Sequence, residues 1–256
     1  MPARPNYCDV AEHVYERSAL ILDGEDHRLA EVSASLSVLG HQLLYADDLE
    51  DLVSLAREYR ARVGALILPA AHAAEWWPAV RKRLVEPLAI APRAVLPVGD
   101  RIAEADAEAL HRDGLRWALW EPFTPWELRF AVTMVLAETD PNDVRLETRV
   151  PCAVAIEVVT DTRRTPAQLT DLSTGGASVQ IARPHAQDTV VVLRGELGGR
   201  RVSLPARVAW RSGPHSPGWR DPGMGVSFER VELGVLDLLR QEMQRAIDRF
   251  RLRPSR

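Results

Sequence analysis

The stretch "TVVVLRGELGGRRVSLPARVAW", residues 189–210, contains two valine-rich runs joined by Gly198-Gly199. Valine and the other β-branched residues are enriched in strands, and paired glycines between two such runs signal a tight hairpin turn. The runs are "TVVVLRGEL" (189–197) and "VSLPARVAW" (202–210), so the stretch predicts two antiparallel strands connected by a tight hairpin turn.

Similar short runs, bounded by Gly and Pro, continue on both sides of this hairpin. They are "CAVAIEVV" (152–159), "ASVQI" (177–181) and "MGVSF" (224–228). Evenly spaced short strands are typical of a small antiparallel β-barrel. Apolar residues at helical spacing then predict one closing C-terminal helix, from about Leu233 to Phe250.

The first half of the chain has a different pattern, in which short apolar runs alternate with helical segments. The runs are "ALIL" (19–22), "QLLY" (42–45), "ALIL" (65–68), "AVLP" (94–97) and "WALW" (117–120). Between them lie "LEDLVSLAREYR", "AEADAEALHR" and an amphipathic pattern through Leu29, Val32, Leu36 and Leu39. Such alternation predicts a doubly wound α/β domain with a parallel sheet.

A further helix is predicted to begin after Thr124, which is a typical N-cap residue. Pro125 takes the first helical position, and Glu127 follows three residues after the cap, as in a capping box. The polar stretch "AETDPND" (137–143) follows this helix and marks a domain boundary. We therefore expect an N-terminal extension over 1–17, an α/β domain over 18–137, a linker over 138–149, and the barrel with its helix over 150–256.

Composition limits the classes of function that this chain can have. Its 256 residues suit two domains, and their formal net charge is −4. Residues 1–144 hold 14 basic and 24 acidic residues, whereas residues 145–256 hold 18 and 12. The basic second half suits a small polyanion but is too mixed in sign for duplex DNA. No apolar run is long enough for a membrane span or a signal peptide, so we expect a cytoplasmic protein.

Catalysis and metal binding find no support in the sequence. The two cysteines, Cys8 and Cys152, are too far apart to indicate a metal cluster or a disulfide framework. The seven histidines lack metal-ligand spacing, and no nucleophile with a base and an orienting group is recognisable. We expect no enzymatic activity, no metal and no cofactor.

Two short motifs in the second half suit an anionic ligand. Arg145 and Arg149 lie four residues apart, and "DLSTGG" (171–176) places Asp171, Ser173 and paired glycines between two predicted strands. Arginine forks onto phosphate oxygens, and glycine permits positive φ and a close approach of the backbone. Taken alone, the arginines also fit ordinary surface charges, and the second motif also fits a common Ser- or Asx-stabilised turn.

Taken together, Arg-x-x-x-Arg and the later Asp-x-Ser-x-x-Gly resemble the two-part signature of the PilZ domain, the bacterial receptor for cyclic di-GMP. "VAW" (208–210), "GMGVSF" (223–228) and the closing helix also fit that family, so the resemblance covers residues 144–250. It implies a flexible segment in which Arg145 and Arg149 contact phosphate and guanine. It also implies that Asp171 and Ser173 read a guanine edge and that Gly176 keeps the backbone close. Val144 stands where many family members carry a further arginine, which leaves open one or two ligand molecules.

The first half resembles the response-regulator receiver domain over residues 18–137. "LILDGEDHRL" is similar to the acidic end of that family's first strand, and "RDGLRWALWEPF" to the stretch that ends its fifth. Asp23 is kept, but Pro69 stands at the phosphoacceptor position and Glu121 replaces the phosphate-sensing lysine. An aspartyl phosphate needs a carboxylate nucleophile. The resemblance therefore implies a degenerate receiver, retained for contacts with a protein partner.

These resemblances favour a signalling protein in which cyclic di-GMP orders the Arg145–Arg149 segment and changes the domain arrangement. A ligand-independent protein–protein adaptor is the alternative, and a phosphorylatable response regulator is a third. The apolar stripe of the last helix fits either packing on the barrel or a homodimer seam; it comprises Leu236, Leu239, Met243, Ala246 or Ile247, and Phe250. Either core packing or an exposed patch fits Trp76, Trp77, Trp117, Trp120 and Trp126.

Overall fold

The computed structural model describes residues 18–23, 29, 42–59, 63–137, 149–212 and 222–252. By its internal contacts the chain divides into two units. Unit 1 comprises Met1–Asp143 together with Phe250–Arg256, and unit 2 comprises Val144–Arg249. The sequence places residues 250–256 with the barrel, whereas here they group with unit 1, because Phe250 and Leu252 are buried among its side chains.

Unit 1 is built on a parallel sheet of five strands in the order β2-β1-β3-β4-β5. This is the flavodoxin-like order of doubly wound folds, so the predicted receiver-like α/β class is confirmed. The strands are β1 (Ser18–Leu22), β2 (Gln42–Ala46), β3 (Val63–Pro69), β4 (Val95–Gly99) and β5 (Leu119–Trp120). β1 is buried along its whole length, as expected for a strand covered on both faces.

In unit 1, the described helices lie between these strands along the chain, except the last helix, which follows β5. They are α1 (Leu49–Glu58), α2 (Ala70–Val80), α3 (Glu86–Leu88), α4 (Glu104–Arg112) and α5 (Pro125–Ala137), with a π-helical segment, Arg81–Val85, between α2 and α3. The predicted helix through Val32, Leu36 and Leu39 lies outside the described residues. α2 escapes sequence analysis because it begins directly after Pro69, the last residue of β3, without turn residues to mark its start.

The predicted capping box at the start of α5 is confirmed. The backbone N–H of Glu127 donates to Thr124 Oγ1 at 3.2 Å, and the backbone N–H of Thr124 donates to Glu127 Oε2 at 2.8 Å. Two backbone donors that a helix start leaves without partners are satisfied in this way. α5 therefore begins where the sequence predicts.

The tryptophans of unit 1 contribute to packing. Trp77 and Trp117 are buried, and the indole N–H of Trp77 donates to Asp113 Oδ2 at 2.8 Å. Trp76, Trp120 and Trp126 are partly buried. Because none of the five is fully exposed, the core-packing interpretation fits them better than an exposed patch.

Unit 2 is a closed barrel of six antiparallel strands in the order β10-β11-β8-β7-β6-β9, which confirms the predicted class. The strands are β6 (Val150–Val159), β7 (Arg164–Leu172), β8 (Gly176–Gln180), β9 (Val190–Leu197), β10 (Arg200–Ser212) and β11 (Gly223–Phe228). Gly198 and Gly199, at φ +55° and +77°, form the predicted hairpin turn between β9 and β10. β7 was not predicted, because "RTPAQLTDL" is mostly polar and contains Pro166.

The last helix, α6 (Leu233–Arg249), packs on the barrel with Leu238 and Leu239 buried. It crosses near the β9–β10 turn, where a Cβ on Gly198 would lie 3.1 Å from Leu238 Cδ1. Leu236 and Met243, from the stripe considered as a dimer seam, are partly exposed. The homodimer stays a prediction. Within the described residues, no helix is long and apolar enough to cross a membrane.

Candidate ligand-binding site

Arg149 and Asp171 meet at one end of the β6–β7 pair. Arg149 immediately precedes β6, and Asp171 lies opposite Pro151 in the antiparallel register. This register places Arg149 Nη1 3.4 Å from Asp171 Oδ1, with the side chains 40% and 22% exposed. A guanidinium and a carboxylate therefore lie side by side at the barrel surface. Arg145, the other predicted arginine, lies outside the described residues.

Asp171 is held in position by a second contact. The backbone N–H of Ser178, on β8, donates to Asp171 Oδ1 at 3.0 Å. Both contacts use the same oxygen, and no donor among the described residues reaches Oδ2. The carboxylate thus has a fixed orientation and a second oxygen with acceptor capacity.

Ser173 is buried, with 2% of its surface exposed, in the turn between β7 and β8. Its Oγ accepts from the backbone N–H of Gly176 at 3.1 Å and donates to the carbonyl of the same residue at 3.2 Å. The backbone N–H of Ser173 also donates to that carbonyl, at 2.8 Å. These bonds close the turn directly after Asp171. In this structure the Ser173 hydroxyl shapes the turn rather than pointing into solvent.

Gly176 is required for a different reason from the one the sequence suggests. Neither Gly175 nor Gly176 adopts the positive φ that glycine permits; the described glycines with positive φ are Gly99, Gly114, Gly198 and Gly199. A Cβ at position 176 would instead lie 2.3 Å from the backbone carbonyl oxygen of Val226 on β11. Gly176 therefore permits the close approach of β8 to β11, which fixes the strand that carries Ser178.

The pKa of Cys152 is affected by its burial and by the nearby charge of Asp171. Burial, as the larger cause, and the negative charge of Asp171 together raise the pKa of the Cys152 thiol to about 12. Both effects disfavour the thiolate, because it would be poorly solvated and close to a like charge. Cys152 is therefore a neutral, inert thiol at physiological pH.

This environment predicts slow alkylation of Cys152 in the folded protein. With a pKa of about 12 instead of 9.0, the thiolate fraction at pH 8 falls about 10³-fold. We expect iodoacetamide to react about 10³-fold more slowly with folded Cys8→Ser protein than with the same protein in denaturant. Asp171→Asn should accelerate the folded-state reaction only modestly, since burial is the larger cause. Equal rates for folded and unfolded protein would contradict the burial of this thiol.

One aromatic side chain missed by the sequence analysis lies in the same cross-strand row as Asp171. Asp171 pairs with Ser178, Ser178 pairs with Gly225, and Gly225 pairs with Trp210. A Cβ on Gly225 would lie 2.0 Å from Trp210 Nε1, so the indole lies directly against this glycine. Because paired residues share a face of a sheet, a partly exposed ring lies on the face that carries Asp171. The sequence signal for Trp210 is the tripeptide "VAW" (208–210), followed by the strand "GMGVSF" (223–228), in which glycine occupies alternate positions.

In unit 1, the residues that would carry receiver chemistry are arranged differently. Asp23 follows β1, is buried, and accepts from the backbone N–H of Leu29 at 2.6 Å. β3 ends at Pro69 and α2 begins at the next residue, so no carboxylate stands at the end of this strand. Glu121 is exposed after β5. Glu25 and Asp26, the other acids of the first loop, lie outside the described residues.

Comparisons with known proteins find one family model that matches residues of the second unit. Residues 143–245 match the family model described as the PilZ domain. Similar solved structures include the PilZ domain of CeSA from a cellulose-synthesizing bacterium, at 24% identity over 38% of this chain and 94% of that chain, with a TM-score of 0.31. The PilZ domain of YcgR from Escherichia coli, solved with c-di-GMP, is similar at 15% identity over 42% and 94%, with a TM-score of 0.36.

Unit 1 also has a similar solved structure. A response regulator receiver domain protein from Clostridium thermocellum shows 17% identity over 48% of this chain and 95% of that chain, with a TM-score of 0.40. No curated protein matches this chain.

Proposed function

We propose, from the premise that residues 143–245 form a PilZ domain, that this protein is a receptor for cyclic di-GMP. The observation that carries the proposal is the pairing of Arg149 with Asp171 at the barrel surface, beside the turn closed by Ser173. Each half of the predicted motif therefore contributes one side chain, Arg149 or Asp171, to the proposed site.

Arg149 has the chemistry that the phosphates and guanines of this ligand require. A guanidinium is permanently charged, forks onto phosphate oxygens, and pairs with guanine O6 and N7. Its 40% exposure leaves it accessible to a ligand. Arg145, four residues earlier, is proposed to supply the second guanidinium.

Asp171 complements Arg149, because the two offer opposite hydrogen-bonding capacities. A carboxylate accepts from the N1 and N2 donors of guanine, whereas a guanidinium donates to O6 or N7. The pair therefore suits guanine, whose edges carry both donors and acceptors. Adenine lacks a donor at N1, so Asp171 favours guanine over adenine.

The existing ion pair does not prevent binding. An exposed pair is worth only about 0–1 kcal/mol, and the separation of 3.4 Å is at the long end for a hydrogen bond. Each charge-assisted contact to a ligand contributes roughly 1.5–3 kcal/mol. Arg149 therefore gains free energy when it leaves Asp171 and contacts oxygen atoms of the ligand instead.

The remaining residues support this contact. Ser173 closes the turn that follows Asp171, and Gly176 fixes the strand that bonds to it. We assign both residues to the site because they position Asp171. Trp210 offers an aromatic face on which a guanine can stack, a contact worth roughly 1–3 kcal/mol in nucleic-acid binding sites.

The proposed output is conformational rather than catalytic. Ligand contacts to Arg145 and Arg149 would order the segment that joins the two units, and so alter the arrangement of the domains or the binding of a protein partner to unit 1. The proposal places this non-enzymatic signalling protein in the cytoplasm. The alternative is a ligand-independent adaptor with a vestigial PilZ domain.

Titration calorimetry with cyclic di-GMP and cyclic di-AMP tests the proposal. We expect micromolar or tighter binding of cyclic di-GMP, because several charge-assisted contacts converge on one ligand. Cyclic di-AMP should bind at least about tenfold more weakly, because Asp171 would lose its donor partners. The absence of heat with cyclic di-GMP, together with no thermal shift at high ligand concentration, would favour the adaptor.

A further inference from the structure

Residues Phe250–Leu252 pair with Arg116–Ala118, the residues that directly precede β5. The backbone N–H of Ala118 donates to the carbonyl of Phe250 at 2.8 Å, and the N–H of Leu252 donates to the carbonyl of Arg116 at 2.9 Å. Trp117 and Arg251 form an antiparallel bridge between these bonds. β5 is the last strand in the sheet order, so its outer side is an edge. Sheet edges bind extended segments through such backbone bonds.

The side chains of the Phe250–Leu252 segment alternate in the manner of an added strand. Phe250 and Leu252 are 3% and 2% exposed, whereas Arg251 between them is exposed. The ring of Phe250 lies 4.8 Å from the ring of Phe130 on α5. Leu252 joins a core cluster whose other buried members all lie between Leu20 and Ala118. The edge therefore fits a three-residue segment whose first and third side chains are apolar and whose middle side chain faces solvent.

We infer that this edge of unit 1 is a peptide-docking site that releases and rebinds its occupant, and that the occupant is the Phe250–Leu252 segment of the same chain. Unit 2 is thereby joined to unit 1 at both of its ends, before Val144 and after Arg249. If the Phe250–Leu252 segment were released, the two units would be joined only through the chain before Val144. The inference is independent of the ligand proposed for the barrel.

Charge favours this occupant. Residues 249–256, "RFRLRPSR", contain four arginines and no acidic residue, whereas residues 1–144 carry ten more acidic than basic residues. Opposite net charges promote encounter and suppress the docking of acidic segments. The guanidinium of Arg251 also lies 6.0 Å from the centre of the Trp117 ring, within the range of a cation–π contact.

Reversible release is favoured by an unsatisfied donor at the docking site. The Trp117 indole Nε1 is buried and, among the described residues, has no hydrogen-bond acceptor. Burying a donor without a partner costs free energy, and this cost is relieved when water reaches the site. The described contact is also short, at three residues. Small contacts of this kind open locally without unfolding the rest of a protein.

Amide hydrogen exchange of the full-length protein tests the docking. The Ala118 and Leu252 amides should be protected in the wild type. Leu252→Ala should accelerate exchange at Ala118 by about 30-fold or more, since the variant loses a buried leucine side chain. Leu233→Ala is the matched control, because Leu233 is 80% exposed, and it should change this rate less than about twofold. Exchange at Ala118 at the unprotected rate in the wild type would overturn the inference.

Binding in trans tests whether the site is a separable dock. A chain ending at Arg249 should bind the peptide RFRLRPSR and regain protection at Ala118, whereas the peptide with Phe250→Ala and Leu252→Ala should not bind. If the shortened chain does not fold, the Leu252→Ala exchange rates of the full-length protein decide between the outcomes. Sedimentation of the wild type identifies the occupant. If Ala118 is protected only at concentrations at which the protein dimerises, the Phe250–Leu252 segment comes from a second copy. That result would overturn docking within one chain.

Discussion

Arg149→Ala should lower the affinity for cyclic di-GMP by about 10- to 100-fold. The substitution removes a charge-assisted contact worth roughly 1.5–3 kcal/mol, and each 1.4 kcal/mol is a factor of ten in affinity. Titration calorimetry of the variant and the wild type measures the change. Because the ion pair to Asp171 is exposed, its loss should leave thermal stability almost unchanged. The effect is therefore expected in binding and not in folding.

Arg163→Ala provides the matched control for this prediction. Arg163 is exposed in the turn between β6 and β7, at the opposite end of the strand pair from Arg149. The nine residue steps from Val150 to Val159 correspond to about 30 Å of extended strand. Arg163→Ala should retain wild-type affinity. Equal losses in both variants would show that general positive charge, rather than the paired site, binds the ligand.

Arg149→Lys distinguishes the guanidinium from its charge. Lysine keeps the charge but lacks the planar fork that pairs with phosphate or guanine. We expect an affinity between those of the wild type and Arg149→Ala. Full affinity in the lysine variant would indicate a simple charge contact at this position.

Gly176→Ala should destabilise the barrel by about 1–3 kcal/mol or more, the range for added volume in a tightly packed site. The new Cβ would lie 2.3 Å from the carbonyl oxygen of Val226. That oxygen belongs to the backbone of β11, which pairs with β8 along five residues, so neither strand can move without breaking its register. Thermal or denaturant unfolding, monitored by a probe in the barrel, measures the loss.

Gly234→Ala is the matched control for Gly176→Ala. Gly234 lies in α6, and a Cβ there has no heavy atom within 4 Å. Alanine is a better helix former than glycine, so this variant should keep or slightly raise stability. If both variants unfold at the same midpoint as the wild type, the close approach of β8 to β11 is not present in solution.

Local chemistry explains which parts of the barrel could be predicted from the sequence. The β9–β10 turn was predictable because the positive φ of Gly198 and Gly199 is a requirement of the turn itself. The reason for Gly176 was not predictable, because the requirement comes from Val226, fifty residues later in the chain. β7 was also missed, because its first five residues are exposed or partly exposed and include polar residues and Pro166, which do not indicate a strand. Arg149 and Asp171 were identified by their motif, but only the strand register shows that they meet.

The end of the last helix illustrates the same limit. Phe250 continues the apolar stripe of α6, so helical periodicity places it in the helix and on the barrel. The structure ends α6 at Arg249 and buries Phe250 beside Phe130 in unit 1. A pattern of three alternating residues is too short to indicate a strand. The pairing partner, Arg116–Ala118, is distant in sequence and has no signal that links it to this segment.

The grouping of Phe250–Arg256 with unit 1 also affects the order of events during synthesis. Unit 2 spans Val144–Arg249, so the ribosome must add all of it before Phe250 and Leu252 are available to unit 1. At about 5–20 residues per second, this interval is on the order of 5–20 s. During that time Arg116–Ala118 lack their pairing partner, and the nascent α/β unit lacks the buried side chains of Phe250 and Leu252. The barrel is therefore made while the unit that precedes it is still incomplete.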